Sequence, residues 1–139
     1  MAEGDPATRD LLFTVNVKTA LNCSRASLPY LRRSRARRIV NVGANAALKA
    51  GEGMGAYTAS KSGVHRLTES LAEELKKDGI TVNAVLPSII DTPANRNDMP
   101  QADFATWVTP QALAAVIQFL ASEAAAPVTG ALLPVVGRV

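Results

Sequence analysis

Short β-branched runs alternate along this chain with longer stretches whose apolar residues fall three and four apart. The first pattern suits strands and the second amphipathic helices. Asp5-Pro6 reads as an N-cap and first helical residue, opening a helix to about Tyr30 with Leu12, Val15 and Leu28 among its apolar positions. Arg38-Ile39-Val40-Asn41-Val42 reads as a buried strand ending at Gly43. A glycine-rich loop from about Ala50 to Gly55 leads into a helix over roughly Tyr57 to Lys77, with Val64, Leu67, Leu71 and Leu75 along one stripe. Asp78-Gly79 ends it, because glycine adopts the left-handed conformation at a helix C-terminus without penalty.

Ile80 to Leu86 reads as a second buried strand, stopped by Pro87. From Ser88 to about Val108 the chain is polar and proline-punctuated, the pattern of an irregular loop. Thr109-Pro110 then opens a helix whose Leu113, Val116, Ile117 and Leu120 form one apolar face. Ala131 to Val136 is a last short strand, placed near a sheet edge by Pro134, which has no N–H for the ladder. Alternating helix and strand predicts an α/β layer fold with a mainly parallel sheet, within one domain over residues 1–139.

Composition narrows the function classes. With 47% hydrophobic and 19% charged residues the chain has the balance of a folded globular protein. Its apolar runs all fall short of a membrane-spanning helix, and its start lacks the pattern of a signal peptide. Cys23 stands alone, which suits a reducing cytoplasmic setting. One histidine, His65, makes no metal site, and it is expected on an outer helix face. Arg32, Arg33, Arg35, Arg37 and Arg38 form a basic cluster without interleaved aromatics, so a solvated helix–strand connection is favoured over a nucleic-acid surface. Trp107 fits local packing as well as a substrate pocket.

Tyr57 and Lys61 are the pair that carries chemistry. Four residues apart on the first turns of a helix, they project from one face. A free tyrosine titrates too high to act efficiently near neutrality, and a nearby ammonium lowers its pKa by stabilising the phenolate. Spacing alone is a common accident of helices.

The surroundings of the pair are more specific. Arg38 to Val42, the glycine-rich loop, and Ala56-Tyr57-Thr58-Ala59-Ser60-Lys61-Ser62-Gly63-Val64 together resemble the short-chain dehydrogenase/reductase family. So do Val82-Asn83-Ala84-Val85-Leu86-Pro87 with Asp91-Thr92-Pro93, Thr14-Val15-Asn16-Val17, and the closing Leu120-Ala121-Ser122 and Val128-Thr129-Gly130. The resemblance implies a Rossmann-like sheet flanked by helices and an NAD(P)-dependent oxidoreductase acting on a carbonyl or imine-like substrate. It implies Tyr57 as acid/base and Lys61 as the group that depresses its pKa and bonds the nicotinamide ribose. Asn16 would hold a relay water at a local distortion of its helix, and Pro87, Ile90 and Thr92 would contact the carboxamide. It also implies a homo-oligomer packed through the helices bearing Asn16 and Tyr57, where Leu67, Leu71, Ala59 and Gly63 would permit close approach.

Two positions depart from the family pattern. Ala44 stands where the family has a serine, thirteen residues before the tyrosine; dihydropteridine reductases look similar in carrying alanine there. Asn45, adjacent, is the substitute donor on the substrate side. Ser88 replaces the glycine after the proline. Beyond these, Gly51-Glu52-Gly53-Met54-Gly55 is not G-x-G-x-x-G and does not directly follow a strand, so it is not expected to hold a pyrophosphate. The expectation is a truncated, C-terminal family half lacking on the order of 90 residues, at ~30 per βαβ unit. The choice between NAD and NADP would be made there. The alternative function is a non-enzymatic interaction module that oligomerises through an open sheet edge.

Overall fold

The computed structural model describes residues 4–139. Asp5 caps the first helix, accepting from the backbone N–H groups of Ala7 and Thr8. What the periodicity predicts as one helix is three pieces: α1 (Pro6–Phe13), a π-helical turn (Thr14–Lys18) and α2 (Thr19–Leu31). Then come β1 (Arg38–Val42), α3 (Gly55–Leu75), β2 (Thr81–Pro87), α4 (Pro93–Asp98), α5 (Pro110–Ala121) and β3 (Leu132–Val135). Gly79, at φ 65°, makes the left-handed turn after α3.

The three strands are parallel in the order β1-β2-β3, with Val42 beside Val85 and Leu86 beside Pro134. Strand alternation separates two apolar clusters. Ile39 and Val82 meet Leu71, Ala72 and Leu75 of α3, with Leu28 and Leu31 of α2. Val40 and Val85 meet Leu113, Val116, Ile117 and Leu120 of α5. The central strand β2 is buried throughout, as expected. β1 is not. It lies at an edge, and Val42 keeps 45% of its surface, because an apolar run does not reveal which strand lacks a neighbour. β3 is the other edge, where Pro134 is tolerated.

One other expectation is corrected, and one alternative left open by the sequence is decided. The segment from Ser88 to Val108 is ordered: Ile90 bridges to Val108, and Thr92 caps α4 by accepting from the Asn95 N–H at 3.2 Å. Trp107 is buried against Phe104, their ring centroids 4.8 Å apart, and so belongs to local packing. The residues proposed to pack between copies are used within the chain. Leu71 is core, Leu67 packs on it, and Gly63 leaves no room for a side chain against Val17; Ala59 alone of the four is exposed. The arginine cluster is largely spent too. Arg32 pairs with Asp78 at 2.8 Å, Arg37 donates to the Asp78 carbonyl at 2.7 Å, and Arg38 reaches Glu123 at 3.5 Å.

Candidate active site

Parallel strands feed their C-terminal ends into one crevice, where α/β sheets commonly bind ligands. Here the ends of β1 and β2 and the start of α3 surround a cavity of about 430 Å³. Tyr57, Lys61, Pro87 and Ile90 line it together with Gly43, Met54, Asn95 and Met99. Four residues singled out from the sequence thus meet in one place. Tyr57 also borders a second hollow of about 260 Å³, shared with Asp5, Thr8, Arg9 and Leu12 of the first helix and its cap.

Other candidates lie around this cavity rather than in its lining. Asn16 sits in the π-helical turn, the helix distortion that the sequence resemblance implies. Its side-chain amide donates to Ser60 Oγ at 2.9 Å, and Ser60 in turn donates to the Tyr57 carbonyl at 2.8 Å. Asn16 and Lys61 share a separate hollow of about 230 Å³. Thr92 belongs to the α4 cap, in a hollow with Asp91, Pro93, Arg96 and Asn97. Asn95 reaches the cavity instead, held by a 2.7 Å bond from its amide to the Ile90 carbonyl. Asn45 opens a short 3-10 turn, Asn45–Ala47, and Ala44 is buried. The glycine-rich loop follows that turn and leads into α3, so no strand runs directly into it.

The electrostatics of the pair differ from expectation. The Lys61 ammonium donates to the Val42 carbonyl at 3.0 Å. Burial pushes the Tyr57 phenol above its ordinary 10.0 and the Lys61 ammonium below its ordinary 10.5, since a low-dielectric setting disfavours the charged form of each.

His65 is the residue whose place the sequence reading missed. It is 2% exposed, not on an outer face, and its Nε2 accepts the Ala44 N–H at 3.3 Å. The signal was available: His65 stands four residues after Lys61, three before Thr68 and seven before Ala72, all on one helical face. Ser60 and Asn83 were missed likewise. Asn83, fully buried, donates to the Val128 carbonyl at 2.9 Å and accepts from the Ala131 N–H at 3.0 Å, tying the last turn to the central strand. Among the described residues no cluster of His, Cys, Asp or Glu could hold a metal ion, and no helix is long and apolar enough to cross a membrane.

Comparison with known proteins places this geometry. A family model described as short chain dehydrogenase matches residues 1–103. The 3-oxoacyl-[acyl-carrier-protein] reductase FabG of Thermotoga maritima is 33% identical over 136 residues, covering 92% of this chain and 55% of the relative. Galactitol 2-dehydrogenase of Rhizobium johnstonii is 44% identical over 90 residues, 58% of this chain. Among solved structures, acetoin dehydrogenase from Enterobacter cloacae superposes with a TM-score of 0.86 at 31% identity, covering 99% of this chain and 57% of that one. A 3-oxoacyl-[acyl-carrier protein] reductase with bound NAD from Brucella melitensis gives 0.85 at 30% identity, covering all of this chain and 54% of that one. The chain therefore spans about half the length of the relatives it matches. A parallel α/β sheet with Tyr57 and Lys61 at its carboxyl end, matched on sequence and on fold alike, makes this chain a member of the short-chain dehydrogenase/reductase family.

Proposed function

We propose that this chain supplies the catalytic portion of an NAD(P)-dependent oxidoreductase acting on a carbonyl or imine-like small molecule, with Tyr57 as acid/base. The observation that carries the reading is the convergence of Tyr57, Lys61, Pro87 and Ile90 on one cavity. Its residues fit the nicotinamide end of the cofactor. Lys61 spends one of its three donors on Val42 and keeps two for a ribose diol. Pro87, Ser88, Ile89 and Ile90 line the same wall for the carboxamide. The phosphate end has no such cradle among the described residues, since Gly51 to Gly55 enters α3 from a 3-10 turn.

Lys61, Pro87 and Ile90 would hold the nicotinamide end of NAD(P)H, which would supply a hydride there. Tyr57 delivers its phenolic proton to the substrate oxygen or nitrogen as charge develops there. Because burial raises the Tyr57 pKa, the free site favours the protonated, proton-donating form. In the reverse direction the Lys61 ammonium, on the same cavity wall, stabilises the phenolate by its charge. Asn16, through Ser60, steadies the first turn of α3 that bears the tyrosine. Ala44 offers no hydroxyl to the reacting atom, which separates this site from that of an ordinary alcohol dehydrogenase.

The test is loss of NADH or NADPH absorbance with a panel of ketones and imines. It uses the chain alone and the chain co-expressed with the amino-terminal half of the T. maritima relative. Turnover in either setting is expected, and Tyr57→Phe should lower it about 10²–10⁴-fold. Failure of both settings to bind either dinucleotide sinks the reading.

A second reading rests on the unpaired edge of β1, whose Val42 is exposed and shares a hollow with the exposed Val15. An open edge with apolar neighbours is a pairing surface, for a second copy or for another chain. A monodisperse monomer by light scattering at high concentration would remove it.

A further inference from the structure

Lys61 and His65 are one helical turn apart on α3, and they hold the backbone on either side of Gly43. Lys61 takes the Val42 carbonyl at 3.0 Å, and His65 Nε2 takes the Ala44 N–H at 3.3 Å. Between them the Gly43 N–H is bonded to the Val85 carbonyl at 2.9 Å. There is no slack: a Cβ at Gly43 would lie 2.5 Å from His65 Nε2 and 2.5 Å from Leu86 Cδ2. Of the four backbone groups from the Val42 carbonyl to the Ala44 N–H, three are thus tied to three different partners.

The Gly43–Ala44 peptide has one end left over. The chain has no cis peptide bonds, so the Gly43 carbonyl points opposite to the Ala44 N–H, away from the imidazole and toward β2. The next rung of the parallel ladder would bring it the N–H of residue 87, after the rung from Gly43 to Val85. Residue 87 is proline and has no N–H. The carbonyl therefore stands without its rung, between two residues that both line the cavity.

We infer that His65 is a positioning residue: as a neutral imidazole it fixes the Gly43–Ala44 peptide, and so aims the Gly43 carbonyl into the cavity as a fixed acceptor for an O–H or N–H donor of the bound molecule. The inference rests on the functional reading above for what that molecule is, and on geometry alone for the clamp. The role requires Nε2 to be the unprotonated nitrogen, since only then can it accept. Burial favours the neutral ring, as do the charges of Arg66 and Lys61; Glu69 opposes them. All three lie on α3, and the strand side presents Gly43, the Ala44 amide and Leu86 to the Nε2 edge of the ring.

The experiment is nuclear magnetic resonance of the labelled 139-residue chain without ligand, so its outcome does not depend on dinucleotide binding. The His65 ring is expected in the form protonated at Nδ1. The Ala44 amide proton should shift with the same midpoint as the ring when acid is added, and the Gly43 carbonyl carbon should move with them. His65→Gln, whose side-chain oxygen reaches a similar point, should keep the Ala44 and Gly43 signals near their positions. His65→Leu should displace both. A ring protonated at Nε2 near neutrality, or an Ala44 amide indifferent to the ring's titration, overturns the inference without any variant having to fold. Equal signals in the Gln and Leu variants, both folded, overturn it as well.

Discussion

The Lys61 ammonium is bonded to the Val42 carbonyl at 3.0 Å, while burial alone sets the direction of the Tyr57 phenol, upward from 10.0. Phenolate absorbance during an alkaline titration, read as the difference between this chain and Tyr57→Phe, should therefore place Tyr57 above pH 10.0 in the free protein. A transition below that value would mean that the ammonium already acts on the phenol.

Acid should weaken the fold through His65. Its folded pKa is held below 6.5, chiefly by burial, so the unfolded chain binds more protons between the two values. The stabilising share is complete above pH 6.5 and is lost as the pH falls toward the lower, folded value. Urea midpoints measured across this range should decline for the native chain and decline less for His65→Gln.

Gly43→Ala forces a methyl into contact distances of 2.5 Å with both His65 and Leu86. Overpacking of this kind costs about 1–3 kcal/mol. Denaturant unfolding should show that loss, and His65→Ala in the same chain should recover part of it, because the two positions compete for one space.

Asn83→Leu leaves the Val128 carbonyl and the Ala131 N–H without their partner. Each unsatisfied buried group costs about 1–3 kcal/mol. Denaturation should show a loss of about 2–6 kcal/mol. A change within the range of an ordinary surface substitution would contradict the buried network.

The strands and the three longer helical regions were legible because periodicity encodes them locally; Tyr57 and Lys61 stood out by spacing, while Pro87 and Ile90 came only from the family resemblance. Thr92-Pro93 carries the same cap-and-proline signal as Thr109-Pro110, yet α4 went unread because no apolar stripe follows it. The burial of His65 was written in its helical phase, but a polar residue type argued against it. An open sheet edge was implied by the family resemblance, but its place at β1 was not legible: Val42 looks the same in sequence whether a neighbouring strand exists or not. The bond that diverts Lys61 to Val42 depends on contacts across the fold, and spacing alone is silent on them.

Between Pro6 and Leu31 the two helices and the π turn bury one residue fully, Ser24. Segments with so little enclosed apolar surface open at a fraction of the global unfolding free energy. In a hydrogen-exchange experiment their amides are expected to exchange early and those of the fully buried β2 late. Asn16 rides on that early unit while Tyr57 and Lys61 ride on α3. The Asn16–Ser60 bond bridges the two units, so it is expected to open with the first helices more often than α3 itself opens.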